Sequence, residues 1–206
     1  MADLVETVVV DYGMGNLRSV EKAVQAVGGR PLITGDPDAV LKAARLILPG
    51  VGAFGDAMEN LRRSGLDEAV CTAVSAGKPL LGLCLGLQLL FTESDEFGSH
   101  KGLNLIPGKV RRFRDPALRV PHVGWNQVEG IQRNPLLKDI AEGSYFYFVH
   151  SYYVEPERPE DILAWTSYGG PFCSIAGRNK VWGAQFHPEK SQDSGKKLLR
   201  NFLEIV

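Results

Sequence analysis

Short apolar runs separated by stretches of helical periodicity organise the first half of the chain. Val8-Val9-Val10 reads as a buried strand. The segment after it carries Leu17, Val20, Val24 and Val27 at helical spacing and stops at Gly28-Gly29, as helix C-termini do. Leu46-Ile47-Leu48 is a second core strand, followed by helical patterns near 55–63 and 66–76 and by an apolar strand running into Cys84. Strands that alternate with helices imply a parallel sheet with right-handed crossovers. The second half is richer in strand patterns, at about 109–114, 121–128, 144–149, 162–167, 172–178 and 181–186, many close enough for antiparallel hairpins. Two stretches, Pro121–Asn126 and Tyr145–Tyr152, are dense in aromatics; the second alternates poorly, so some of its rings belong to the core. A final helix from about Ser194 buries Leu198, Leu199, Phe202 and Ile205. The expected architecture is α/β: a single α/β/α domain over 1–206, with a central, mostly parallel sheet and an antiparallel extension.

Charge and cysteine usage remove several function classes. A chain of 206 residues is large enough for one domain with a substantial core. Its formal net charge of −1 gives no reason to expect nucleic acid or an anionic membrane surface. No apolar run approaches transmembrane length, and the N-terminus, with Asp3 and Glu6, lacks the basic start of a signal peptide. Three cysteines without paired spacing argue against a disulfide framework and fit a reducing cytoplasm. Cys71, in a helical pattern, and Cys173, in a strand pattern, read as core filler.

Cys84 is different. The run Leu80-Leu81-Gly82-Leu83-Cys84-Leu85-Gly86-Leu87-Gln88 is a buried strand that passes into a helix with no intervening loop. Glycine at 82 and 86 removes the Cβ atoms that would clash where the two backbones approach. Such a bend pushes the sulfur out at the carboxyl end of the strand, the end where open α/β sheets place their sites. The same strand–nucleophile–helix elbow serves serine hydrolases, and a helix N-terminus lowers a thiol pKa. Taken alone, the segment fits an exposed nucleophile or a buried structural cysteine equally well.

A second segment, Val181-Trp182-Gly183-Ala184-Gln185-Phe186-His187-Pro188-Glu189, supplies chemistry that would complement a thiol. Residues two apart on extended backbone share a face, so His187 and Glu189 project together, and Pro188 keeps the segment from being helical. A histidine beside a carboxylate is the base and orienter of a nucleophilic triad that lacks its nucleophile. Without Cys84 it would read as a surface pair. A metal site of Cys84, His187 and Glu189 is chemically possible, but zinc sites bring closer ligand pairs; no metal or cofactor is expected.

Two glycine-rich turns follow strands. Pro49-Gly50-Val51-Gly52-Ala53-Phe54-Gly55 could turn backbone N–H groups toward an oxyanion, with the N–H of Leu85 as second donor, or could be a connection without a ligand. Asp11-Tyr12-Gly13-Met14-Gly15-Asn16 fails as a dinucleotide fingerprint, because Arg18 stands where the third glycine belongs; a tight turn fits better. Lys109, Arg111, Arg112, Arg114 and Arg119 read as a solvated strand face, and His100, His122 and His150 show no ligand spacing among themselves.

Together these segments give the chain a resemblance to the triad-type (class I) glutamine amidotransferases. The elbow Gly82–Gln88 and Phe186-His187-Pro188-Glu189 mark the broad family. More narrowly, the chain resembles the glutaminase subunits of imidazole glycerol phosphate synthases through Asp11–Leu17, Pro49–Phe54, Pro121–Asn126 and Phe148-Val149-His150-Ser151-Tyr152. The resemblance implies Cys84, His187 and Glu189 as catalytic triad, with Val51 and Leu85 as oxyanion donors. It implies Gly50, Gly52, Gln88 and Glu96 at the substrate, Glu96 pairing with its α-ammonium group, and His150 and Ser151 in the same pocket. Independently, one glutaminase domain leaves no residues for an ammonia acceptor site, so the acceptor is expected on another chain; the resemblance implies a (β/α)₈-barrel cyclase subunit, and Trp125, Tyr147 and Lys190 are the candidate contacts to it. A glutaminase serving another pathway, such as pyridoxal phosphate synthesis, and a non-catalytic or metal-binding member of the fold remain as alternatives.

Overall fold

The computed structural model describes residues 6–205. In chain order the elements are β1 (Glu6–Val10), α1 (Leu17–Ala26), β2 (Arg30–Thr34), α2 (Pro37–Lys42), β3 (Arg45–Leu48), α3 (Phe54–Arg63), α4 (Leu66–Ser75), β4 (Leu80–Leu83) and α5 (Leu85–Leu89). There follow β5 (Phe91–Ser94), β6 (His100–Lys101), β7 (Ile106–Arg112), β8 (His122–Val128), β9 (Ser144–His150), β10 (Tyr152–Pro156), β11 (Ile162–Ser167), β12 (Pro171–Arg178), β13 (Val181–Ala184) and α6 (Gln192–Glu204). The main sheet runs β2-β1-β3-β4-β13-β12-β10-β7-β5-β6, with β11 beside β12. Pairings from β2 to β13 are parallel, and those that join β13, β12, β10 and β7 are antiparallel. This is the expected parallel core with an antiparallel extension.

Fully apolar strands feed both faces of this sheet. Val8 and Val10, Leu46 and Leu48, and Leu80 pack under α2, α3 and α4. Val9, Ile47, Leu81 and Leu83 pack on the other side with Val20 and Val24 of α1 and Leu198, Leu199 and Phe202 of α6. Residues one apart on a strand point to opposite faces, so three-residue apolar runs are what a sheet covered on both sides requires. Helix α1 ends at Ala26 ahead of Gly28, whose φ of +90° a side chain would resist. Among the described residues no helix is long and apolar enough to cross a membrane.

Several expectations need correction. Strands β2, β5, β6 and β10 and the short helix α2 went unread in the sequence, and the strand expected at 109–114 is β7 at Ile106–Arg112. The aromatic run is also more regular than it looked. In β9, Phe146, Phe148 and His150 are buried while Tyr145, Tyr147 and Val149 are more open, a clean period of two. Irregularity arises only because β10 begins two residues after β9 ends. Strands β8 and β9 form a separate antiparallel pair, His122 opposite His150 and Trp125 opposite Tyr147. Its inner face stacks Phe146 on Phe186, ring centroids 4.0 Å apart.

Candidate active site

The elbow is built from two close approaches and one strained residue. A Cβ on Gly82 would lie 2.6 Å from the Gly86 carbonyl oxygen, and one on Gly86 would run into the Leu48 carbonyl oxygen. Between them Cys84 adopts φ +54° and ψ −108°, a conformation that L-residues avoid. Its N–H donates to the Ala184 carbonyl at 2.8 Å, which ties the elbow to β13. The sulfur is not exposed as the sequence suggested. Cys84 is 7 % exposed, on the wall of a cavity of about 400 Å³ between the β3–α3 loop, α5 and the ends of β9 and β10. Sγ lies 3.8 Å from the Val149 carbonyl oxygen.

His187 lines the same cavity, 103 positions away in sequence, because the segment after β13 passes beside the end of β4. Its N–H donates to the Tyr147 carbonyl at 2.9 Å, and Ser191 Oγ bonds both the His187 carbonyl and the Tyr147 N–H. Nδ1 lies 2.8 Å from Glu189 Oε1, with both side chains buried. A carboxylate only accepts, so Nδ1 carries the proton and Nε2 is left toward Cys84. Nε2 has no hydrogen-bond partner of ordinary geometry, and Cys84 is the side chain that acts on it most strongly. Burial disfavours the imidazolium, but the nearby Cys84 and Glu189 outweigh it and raise the His187 pKa to about 10. The arrangement can hold a proton on His187 beside a thiolate and deliver it to a leaving group.

The rest of the cavity wall is polar at chosen points. Val51 and Gly52 of the β3–α3 loop and Leu85 of α5 line it; Leu85, as first residue of α5, has no intrahelical acceptor for its N–H. Gly50 does not line the cavity. It packs beneath, where a Cβ would meet the Tyr12 hydroxyl and the Leu85 side chain, so its lack of a side chain serves close packing. Tyr12 donates to the Pro49 carbonyl at 2.9 Å, which gives the Asp11–Asn16 turn a place under the loop. That turn is closed by the Gly13 N–H donating to Asp11 Oδ1, with Gly13 at φ +85°. Glu96 also lines the cavity, and the Phe54 N–H at the start of α3 donates to its Oε2 at 2.7 Å. Burial raises the Glu96 pKa, against the opposing pull of that N–H and of His100.

Gln88, His150 and Ser151 line the cavity too. Three neighbours went unnoticed as site residues in the sequence. Gln185, fully buried, lies with Nε2 4.0 Å from Cys84 Sγ; a glutamine within the apolar run Val181–Phe186 was the available signal. His122, without spacing to any other histidine, sits 2.9 Å from His150. Tyr152 supplies its carbonyl to both Gln88 and His150. Trp125, Tyr147 and Lys190 cluster away from the cavity: the two rings meet edge to face at 6.1 Å and Lys190 Nζ lies 5.8 Å over Tyr147. Val123, Trp125 and Tyr145 are exposed on the same outer face of β8–β9. Two basic residues of β7 pair with acids on its partly exposed face, Lys109 with Glu93 and Arg111 with Asp95 and Glu155.

A cysteine elbow on a mostly parallel sheet, facing a histidine held by a carboxylate, defines a class, and the chain belongs to it: the class I glutamine amidotransferases, whose family model matches residues 8–206. Close relatives narrow this further. The imidazole glycerol phosphate synthase subunit HisH of Syntrophotalea carbinolica is 50% identical over 201 residues, covering 95% of this chain and 98% of that protein. The subunit of the same name from Neisseria meningitidis serogroup B is 50% identical over 211 residues, covering 96% and 99%. Among solved structures, PurLQS from Thermotoga maritima matches with a TM-score of 0.76 at 19% identity over 96% of each chain. A crystal structure of a glutamine amidotransferase matches at 0.71 and 22% identity, over 96% of this chain and 97% of that one. At such identities these two speak for the fold alone.

Proposed function

We propose that this chain is the glutaminase subunit of an imidazole glycerol phosphate synthase, acting in histidine biosynthesis in the cytoplasm. Residues 1–206 form one glutaminase domain. The Cys84 thiolate attacks the side-chain carbonyl carbon of glutamine, and the oxyanion that forms is received by the N–H groups of Val51 and Leu85. His187 passes its proton to the leaving nitrogen, which departs as ammonia and leaves a γ-glutamyl thioester. Water, giving its proton to His187, then hydrolyses the thioester to glutamate and restores the thiolate. Glu189 keeps the His187 tautomer and stabilises the imidazolium. Gly52, Gln88, Glu96, His150 and Ser151 surround the substrate, with Glu96 facing its α-ammonium group, and Gly50 supports the loop from below.

The ammonia passes to a (β/α)₈-barrel cyclase subunit that makes imidazole glycerol phosphate and aminoimidazole carboxamide ribotide. That subunit is proposed to dock on the outer face of β8–β9, over Trp125, Tyr147 and Lys190, as one half of a heterodimer. The observation that carries the reading is the meeting of Cys84, in its strained elbow, with a buried His187–Glu189 pair across one cavity. Glutamate release from glutamine, measured with the cyclase subunit, tests it: Cys84→Ala should abolish release while the complex still uses free ammonia. Persistent release in Cys84→Ala, or ammonia production that only a different acceptor subunit stimulates, would overturn it.

A further inference from the structure

Behind the cavity runs a chain of hydrogen bonds with only one possible direction. Register places His122 of β8 opposite His150 of β9, and Nδ1 of the first lies 2.9 Å from Nε2 of the second. His150 Nδ1 lies 2.8 Å from the Tyr152 carbonyl oxygen, which can only accept, so His150 carries its proton on Nδ1. Its Nε2 is then an acceptor, and His122 must donate from Nδ1. That leaves His122 Nε2 to accept from Asn126 Nδ2 at 3.2 Å. The Asn126 amide is itself fixed, because Nδ2 also donates to the Ser167 carbonyl and Oδ1 accepts from the Gln127 N–H. Both rings are neutral with the same tautomer. Burial, which lowers the pKa of each, agrees.

The far end of this chain reaches the substrate cavity. The Tyr152 carbonyl accepts a second bond, from Gln88 Nε2 at 3.0 Å. The other Gln88 N–H goes to Gln185 Oε1 at 3.2 Å. With both donors engaged, Gln88 has only its oxygen left for the cavity it lines. An acceptor there suits a nitrogen of the substrate; a flipped amide would present a donor instead.

We propose that His122 and His150 are positioning residues: their one-way chain holds the Tyr152 carbonyl so that the Gln88 amide turns its oxygen toward an N–H of bound glutamine. This rests on the glutaminase reading for the identity of the substrate, though not for the state of the rings. The first test is therefore independent of activity. Imidazole nitrogen shifts of the full chain at neutral pH should show both residues neutral and protonated on Nδ1; an Nε2–H tautomer or an imidazolium at either overturns the proposal. The second test is kinetic, with the cyclase subunit present. His122→Leu should raise the KM for glutamine about tenfold with kcat less affected, the scale of one lost hydrogen bond. His122→Asn, which places an amide N–H near the Nδ1 position, should recover most of that loss. In a Gln88→Leu background His122→Leu should cost nothing further, since the oxygen it positions is gone. Equal defects in His122→Leu and His122→Asn, or fully additive loss with Gln88→Leu, would show the pair to be merely structural. Should His122→Leu fail to fold, Gln88→Leu carries the kinetic arm: it should raise the KM for glutamine about tenfold, and an unchanged KM overturns the proposal. Absence of any glutamine hydrolysis in the wild type would instead sink the glutaminase reading and leave the tautomers standing.

Discussion

Gly86 of α5 and Leu48 of β3 touch backbone to backbone, so closely that a Cβ on residue 86 would occupy the place of the Leu48 carbonyl oxygen. The contact seats the first turn of α5 against the neighbouring strand and thereby sets where Cys84 bends. Neither partner is a flexible side-chain end, so nothing can move aside cheaply.

Gly86→Ala should therefore either displace the elbow or destabilise the chain by about 1–3 kcal/mol or more, the range of overpacked cores. Glutaminase activity should fall much further than stability, because the displaced group is the nucleophile. Denaturant midpoints together with glutamate release will separate the two effects. A fully active, fully stable Gly86→Ala would mean that the elbow does not depend on this approach.

Within the triad the labour is unequal. His187→Asn removes the proton carrier and should cost about 10²–10⁴ in rate, as loss of general acid–base assistance does. Glu189→Gln keeps an oxygen able to accept from His187 Nδ1 and removes only the charge, so its defect should be smaller. That charge helps raise the His187 pKa, so in Glu189→Gln the imidazolium should lose its proton at lower pH than in the wild type. A pH–rate profile of the two proteins checks the shift, and a larger defect in Glu189→Gln than in His187→Asn would reverse the assigned roles.

The elbow was legible because its cause is local: the glycines at 82 and 86 and the apolar residues around them lie within one strand and one helical turn. The same holds for α1, whose buried face and glycine stop are contiguous in sequence. Strand β2 was not legible, since its burial is mixed and no clean alternation marks it. Helix α2 is six residues long, too short for periodicity, although Asp36 caps it and Pro37 starts it. The His122–His150 contact comes from strand register between residues 28 apart, which spacing cannot reveal. Burial of the Cys84 sulfur was missed because the cavity wall is made by β9 and β10, far along the chain.

Acid should weaken the fold through the two neutral histidines. Burial lowers His122 to about 4 and His150 to about 3, while both would titrate near 6.5 in the unfolded chain. Between those values the unfolded chain takes up protons that the folded one refuses, so stability falls as pH drops below 6.5 and is unaffected by this pair above it. The expected loss at pH 5 is roughly 2 kcal/mol per histidine. His187 has the opposite sign: with its pKa raised to about 10, its contribution is full below 6.5 and fades as pH climbs toward 10. Urea midpoints at pH 7 and pH 5 should diverge less in His122→Asn/His150→Asn than in the wild type. Identical acid slopes in the two proteins would contradict this account.

We predict that control by the proposed cyclase subunit acts through the Gly50–Val51 peptide. In one orientation it aims a carbonyl at the cavity, in the other the N–H that an oxyanion needs, and loss of one such donor costs about 10²–10³ in rate. Turning the peptide over rotates ψ of Gly50 and φ of Val51 by about half a turn. Glycine accepts that freely, but Val51, which is not at positive φ here, would be driven toward it. A β-branched residue resists that region by about 1–3 kcal/mol. Val51 is 43 % exposed, so its own packing holds it only in part, and a partner that favoured the costly state would shift the balance. The isolated chain is therefore expected to hydrolyse glutamine weakly and to gain at least about a hundredfold when the ammonia acceptor and the cyclase subunit are present. Val51→Gly evens out the two orientations, so it should change the activity of the isolated chain and shrink the stimulation by the partner. Val51→Pro has no N–H to offer, and its complex should stay inactive toward glutamine while still using free ammonia. Full activity of the purified chain alone, unmoved by Val51→Gly or by the cyclase subunit, would show that the donor is already in place and that no such switch exists.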